Sequence, residues 1–225
     1  LKKENFYLFN IDNKKINLID IKYESPIDKN QSINSKNKYI RDCFNVAFEI
    51  IKNGFTYKFI NGPINKESFL NKKFLGITEY IASNFNVKET GMLIYNKEIS
   101  VCPLTTHLPI NLVSKNVTKK RIKNRIKIIN NFFRNKLKLK AKIGVAGLNP
   151  HCESILKFNE DKKILKPAIK SSIKKRINVK GPYPADTIFL KSNRKKFNVI
   201  LGMYHDQVLT PLKTLHEYNA INITM

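Results

Sequence analysis

At 225 residues, 42% hydrophobic and 26% charged, the chain reads as a soluble globular protein of one large or two small domains with a substantial core. The net charge of +25 invites a nucleic-acid partner, but the lysines run through the whole chain alongside abundant Asn and Ile. That is the drift of an AT-rich coding sequence rather than a patch, with no RNA-binding aromatic motif or paired-cysteine zinc module, so no specific nucleic acid is expected. Cys43, Cys102 and Cys152 are too widely spaced for a disulfide framework or a CxxC site. No apolar run reaches a membrane span, and "LKKENFYLFN" has no signal-peptide core, so a reducing, cytoplasmic setting is expected.

In chain order, residues 24–38 ("ESPIDKNQSINSKNK") are polar and turn-rich and predict a surface loop. A helix follows over residues 39–53, with Phe44, Ala47 and Ile51 on one face and Gly54 as its stop. A short strand is expected to lead into "INGPINKESF". "TGMLIYNKEISVCPLTTHLPI" predicts two strands joined at Asn96-Lys97, the second running out into Thr105-Thr106-His107. Residues 118–140 place Ile122, Ile126, Ile129 and Phe133 on one helical face and cations on the other. "KIGVAGL" predicts a buried strand ending in Asn149-Pro150-His151, and a second basic helix spans residues 162–175 before "VKGPYPADTIF". "FNVILG" is a last apolar strand, running into "MYHDQVLTPLK". Strands alternating with helices imply an α/β fold with a largely parallel sheet. There is no internal repeat and no Gly-rich phosphate loop. The start at Leu1 and the stop after "INITM" predict a fragment of a longer protein.

Three of the four histidines share one context. His107, His151 and His205 each stand where an apolar strand gives out. Ligands bind open α/β sheets beyond the carboxyl ends of the strands, and three imidazoles can hold a divalent ion with positions left for substrate. His216, in "KTLHEYN", reads as part of a polar loop. Asp206, directly after His205, could orient that imidazole or handle a proton. Asp186, after Gly-Pro-Tyr-Pro, could do the same or could cap a helix over "TIFL". Lys66, Thr78 and Lys213 are candidates for an anionic substrate.

"NGPINKESF", "GITEY", "TTHLPI", "GLNPHCES", "GPYPADTIF", "MYHDQVLTPLK" and "INIT" stand in an order and spacing that resembles the 4-hydroxythreonine-4-phosphate dehydrogenase family of vitamin B6 (pyridoxal phosphate) biosynthesis. The resemblance runs from about Asn61 to the last residue. It implies the two-lobed α/β fold of isocitrate and isopropylmalate dehydrogenases, incomplete here at both termini. Residues 1–225 would be a truncated catalytic region, with 1–80 and 215–225 in the first lobe and 81–214 in the second. It implies oxidation of 4-phosphooxy-L-threonine by NAD or NADP to 2-amino-3-oxo-4-phosphooxybutanoate, which decarboxylates to 3-amino-2-oxopropyl phosphate. His107, His151 and His205 would bind zinc, magnesium or cobalt, at a site shared across a homodimer interface. Thr78, Lys213 and Asn222 would bind the small phosphorylated substrate. No dinucleotide-binding residue is assigned.

The chain departs from the family pattern at Gly76-Ile77-Thr78-Glu79, where the family reads Gly-His-Thr-Glu, so a substrate-binding histidine is replaced. The family's opening strand and everything after "INIT", including a substrate-binding Arg, are absent. The alternatives are a related dehydrogenase of a phosphorylated four-carbon sugar acid, a catalytically impaired homologue, and, on charge alone, a nucleic-acid-binding protein.

Overall fold

The computed structural model describes residues 14–23, 32–71, 73–74, 76–87, 89–154 and 158–225. The chain divides into two compact units, residues 1–87 and 88–225.

The described part of the first unit is helical: α1 (Ser32–Lys52), α2 (Lys66–Leu70) and α3 (Ile77–Asn84). Helix α1 begins within the expected loop, of which residues 24–31 lie outside the described residues. Ser and Asn cost a helix only about half a kcal/mol each, and Asn37 is pinned by a 2.9 Å bond from its amide to the Ser68 carbonyl. The buried face of α1 centres on Phe44 and Phe48, one turn apart, while Ala47 and Ile51 are half-buried. Phe44 stacks on Phe69 at 5.6 Å and meets Tyr80 edge-on at 5.4 Å. The expected strand before "INGPINKESF" does not form: residues 55–65 carry no strand. No partner strand exists among the described residues of this unit, so Phe59 instead joins the ring cluster at 5.6 Å from Phe44. Asn65 caps α2 by accepting the Ser68 N–H at 3.2 Å.

The second unit is a six-stranded sheet of order β4-β3-β5-β2-β1-β6. Its strands are β1 (Met92–Tyr95), β2 (Ser100–Pro103), β3 (Ile143–Ala146), β4 (Val179–Tyr183), β5 (Val199–Gly202) and β6 (Ile221–Thr224). β4, β3, β5 and β2 run parallel, and β1 runs antiparallel to both β2 and β6. The β1–β2 hairpin turns at Asn96-Lys97 as expected, with the Asn96 side chain accepting the Glu98 N–H at 2.8 Å. β6 thus pairs within this second unit, whereas the sequence reading grouped residues 215–225 with residues 1–80.

Every residue of β2, β3 and β5 is buried, because helices cover both faces. On one face, Ile122, Ile126, Ile129 and Phe133 of α5 (Lys119–Asn135) and Ala168 and Ile169 of α6 (Lys166–Lys174) pack on Cys102, Val145 and Leu201. On the other, Val208, Leu209 and Leu212 of α8 (His205–His216) pack on Val101, Ala146 and Ile200. Thr118 caps α5, accepting the Arg121 N–H at 3.3 Å. The helix stops at Asn135, short of the expected residue 140; Lys138 turns left-handed (φ 57°) and the Leu139 N–H bonds the Phe133 carbonyl at 3.0 Å. The helix expected over residues 162–175 enters through a π turn, Asp161–Leu165, because Pro167 has no N–H to continue an α register. Two shorter helices complete the unit, α4 (Ile110–Asn116) and α7 (Lys191–Arg194). Among the described residues no helix is long and apolar enough to cross a membrane.

Candidate active site

Parallel strands end on the same edge of a sheet, and the sheet order makes β3, β5 and β2 neighbours. His151, His205 and His107 therefore follow three adjacent parallel strands at one carboxyl edge, with Asp186 beyond the next strand, β4. This is the edge at which open α/β sheets bind ligands.

His205 opens α8, directly after β5, and its ring lies 6.5 Å from that of His107 between centroids, tilted by 35°. Thr106, His107, Ile110, Tyr204, His205 and Asp206 line a cavity of about 340 Å³. His205 Nδ1 lies 2.6 Å from Asp206 Oδ1. An ionised carboxylate has no proton to give, so Nδ1 is the donor of this bond, and in the neutral imidazole that arrangement leaves the Nε2 lone pair for a ligand.

His151 sits in a 3-10 turn, Pro150–Cys152, with left-handed φ values of 54° at His151 and 59° at Cys152. Side chains rarely adopt that region, and such strain gathers at functional sites. The turn is held from below by Asp161, fully buried, whose carboxylate accepts the N–H groups of Leu148 at 2.8 Å and Asn149 at 3.0 Å. The Asn149 amide donates to the same carboxylate at 3.0 Å. Gly147 makes this possible, since a Cβ there would lie 2.6 Å from Cys152 Sγ and 2.9 Å from Asp161 Oδ1. Burial, reinforced by the Asp161 carboxylate, pushes the Cys152 thiol up to about 11, so it is a neutral neighbour of His151 and not a nucleophile.

The remaining candidates are more dispersed. Among the described residues no three His, Cys, Asp or Glu side chains come close enough to hold a metal, so His151 does not join His107 and His205 in one cluster. Asp186 lies exposed in a turn in which Thr187 and Ile188 donate back to the Pro184 carbonyl, and no helix starts there for it to cap. Lys213 stands eight residues along α8 from His205, about 12 Å of rise away. His216 is the last residue of α8 rather than part of a loop. Asn222 lies on β6, three strands from β5 and so about 14 Å across the sheet. Lys66 opens α2 and Thr78 is the second residue of α3, both in the first unit. Ile77, where the resemblance expects His, begins α3 and packs against the aromatic cluster.

Two residues of the site were missed in the sequence, Asp161 and Gln207. Asp161 had a signal: it falls four residues before Leu165 and seven before Ala168, on the apolar face of a basic helix, where a lone carboxylate needs a reason. Gln207 donates to the Gly147 carbonyl at 2.6 Å and accepts the Met203 N–H at 2.7 Å. Nothing in "HDQ" announces those partners.

A mostly parallel α/β sheet covered on both faces, with the candidate residues at its carboxyl edge, accords with the architecture of the isocitrate dehydrogenase-like dehydrogenases, and solved structures agree. A 4-hydroxythreonine-4-phosphate dehydrogenase from Klebsiella pneumoniae superposes with a TM-score of 0.74 at 29% identity, covering 86% of this chain and 59% of that one. Within that class the chain belongs to the PdxA family (pyridoxal phosphate biosynthetic protein PdxA), whose sequence model matches residues 2–225. It is 36% identical over 167 residues to a 4-hydroxythreonine-4-phosphate dehydrogenase of a Sulfurihydrogenibium species, covering 72% of this chain and 51% of that one. It is 32% identical over 185 residues to the D-threonate 4-phosphate dehydrogenase of Salmonella typhimurium, covering 81% and 57%. The chain thus spans about half the length of these curated relatives.

Proposed function

We propose that this chain carries part of the active site of an NAD- or NADP-dependent dehydrogenase that oxidises 4-phosphooxy-L-threonine. The product, 2-amino-3-oxo-4-phosphooxybutanoate, decarboxylates to 3-amino-2-oxopropyl phosphate on the way to pyridoxal phosphate. The observation that carries this reading is the pair His107 and His205, both lining a cavity at the carboxyl edge of the sheet, with His151 in the turn that follows the next strand, β3.

The donor set fits a zinc, magnesium or cobalt ion in part. Two imidazoles converge, one with its Nε2 lone pair freed by Asp206, and a third donor is needed to hold an ion firmly. In this reading the set is completed across a homodimer interface, where His151 and a second copy of the chain contribute. When bound, a divalent cation supplies Lewis-acid chemistry, acidifying the substrate alcohol as hydride leaves and stabilising the charge of decarboxylation. The protein's own groups then have defined tasks. Asp206 holds the His205 proton at Nδ1, and Asp186, exposed on the same edge, accepts or returns a proton.

A second reading is oxidation of D-threonate 4-phosphate, a phosphorylated four-carbon sugar acid. It is favoured by the Salmonella typhimurium relative and by Ile77, which can neither donate a hydrogen bond nor carry a charge. The test is dinucleotide reduction by the purified protein with each substrate, in wild type and Ile77→His. A several-fold gain in kcat/KM for 4-phosphooxy-L-threonine in the variant supports the first reading. No gain, with turnover of D-threonate 4-phosphate, supports the second, and a chain that neither turns over nor binds either compound in a calorimetric titration overturns both. Metal content after dialysis checks the site: His151→Ala should lose most of it, and equal content in wild type and variant rejects His151 as a ligand.

A further inference from the structure

We propose that Thr105, Gln207 and Asp161 form a continuous hydrogen-bonded rail across the carboxyl ends of β2, β5 and β3, and that Gln207 is the positioning residue that ties the strand end leading to His151 to the one leading to His205. This deepens the metal-site reading above and rests on it for the role of the histidines.

Between β5 and β3 the main-chain ladder stops at Val145 and Leu201, before the histidines begin. Between β2 and β5 it runs on past Pro103 and Gly202, with the Leu104 N–H donating to the Gly202 carbonyl at 2.8 Å and the Thr105 N–H to the Met203 carbonyl at 3.3 Å. The hydroxyl of Thr105, itself buried, donates to the same Met203 carbonyl at 2.7 Å and reinforces that join. Between β5 and β3 a side chain takes over where the ladder gives out. The Met203 N–H donates to Gln207 Oε1 at 2.7 Å, and Gln207 Nε2 donates to the Gly147 carbonyl at 2.6 Å, tying β5 to β3. One peptide bond further, Leu148 and Asn149 give their N–H groups to Asp161 at 2.8 and 3.0 Å. His107, His205 and His151 are each within a few residues of a link.

Only an amide suits the central link. It must accept from an N–H at one end and donate to a carbonyl at the other, and that requirement also fixes which way the amide points. An ionised Glu would turn an acceptor towards the Gly147 carbonyl; Leu would leave both main-chain groups unpaired. The backbone on either side is bare: a Cβ at Gly202 would lie 3.2 Å from Gln207 Oε1 and 2.4 Å from Val208 Cγ1. Gln207 is two residues past His205 on α8, about 200° round the helix, so it turns to β3 while His205 lines the cavity. It acts through the main chain of its neighbours.

The test compares the metal-free wild-type chain with Gln207→Leu by NMR of the histidine rings and backbone amides. The variant should shift the ring signals of His151, which lies on another strand end, as well as those of His205. It should speed amide exchange at Met203 by about fivefold or more. Unchanged His151 signals would overturn the proposal. Gln207→Glu, which keeps the acceptor for Met203, reads the same signals if the leucine variant does not fold. Equilibrium dialysis with cobalt(II) is the second readout, and Gln207→Leu should weaken binding about tenfold or more. A lowered Tm with unchanged cobalt affinity would make the contact purely structural and also overturn it. A wild-type protein that holds no cobalt would sink the metal reading itself, and the His151 signals would still decide whether the rail exists.

Discussion

Cys102 lies in the middle of β2 without exposure, and Cys152 lies beside His151. Burial pushes the Cys102 thiol up to about 11, opposed by the neighbouring Arg125 guanidinium. Cys152 reaches about 11 by burial and the Asp161 carboxylate. An ordinary thiol ionises near 9.0, so between that value and about 11 the unfolded chain loses protons that the folded chain keeps. Both thiols therefore place their burden at high pH: their share of stability is intact below 9.0 and is lost as pH rises through 11. Iodoacetamide at pH 8 should leave both unmodified in the native protein and label both in denaturant; native labelling would show that these sites are open. At this scale the sequence was readable where a residue's neighbours along the chain define its role. His205 and Asp206 are adjacent, and their bond follows. Gln207 and Gly147 are 60 residues apart, and only the fold brings them together.

Helix α5 is the element most open to a sequence reading, since its four buried residues repeat at helical spacing and Thr118 stands where a cap belongs. Thr118→Ala removes the acceptor for the Arg121 N–H and should cost about 1 kcal/mol, measured by denaturant titration. A change in the m-value instead of the midpoint would point to the unfolded state. The wholly buried strands were as legible, being short unbroken apolar runs between turn signals. Helix α8 was not, because Pro211 sits in its interior and its first turn is His-Asp-Gln, a stretch that looks like a loop until Val208, Leu209 and Leu212 find the sheet. The absent strand at residues 55–60 is the converse case. Its residues favour extension, yet an isolated strand leaves its backbone groups unpaired, and a helical aromatic cluster offered Phe59 a better place.

For the molecule as a whole, a net charge of +25 gives a strong field and no shaped groove among the features described. The cations of α5 lie on the side away from its buried residues, a solvated face. Binding to DNA or RNA should therefore be weak, indifferent to sequence and steeply lost with salt. Tight, sequence-selective binding in a titration at physiological salt would contradict this. The order of strands has a further consequence, for how the protein comes to be folded. β5 lies between β2 and β3, so the first two hundred or so residues to be synthesised can make only the β1–β2 hairpin and the β3–β4 pair. Each of these presents a bare apolar strand edge to the other until residues 199–202 arrive to join them. Such long-range closure is slow and leaves aggregation-prone edges waiting. A chain ended at Lys196 should therefore remain insoluble or bound to chaperones, while the chain through Met225 refolds in a single late step that buries the edges of β2 and β3 together. Soluble, cooperatively folded protein from the shortened chain would show that the two halves of the sheet stand without their centre.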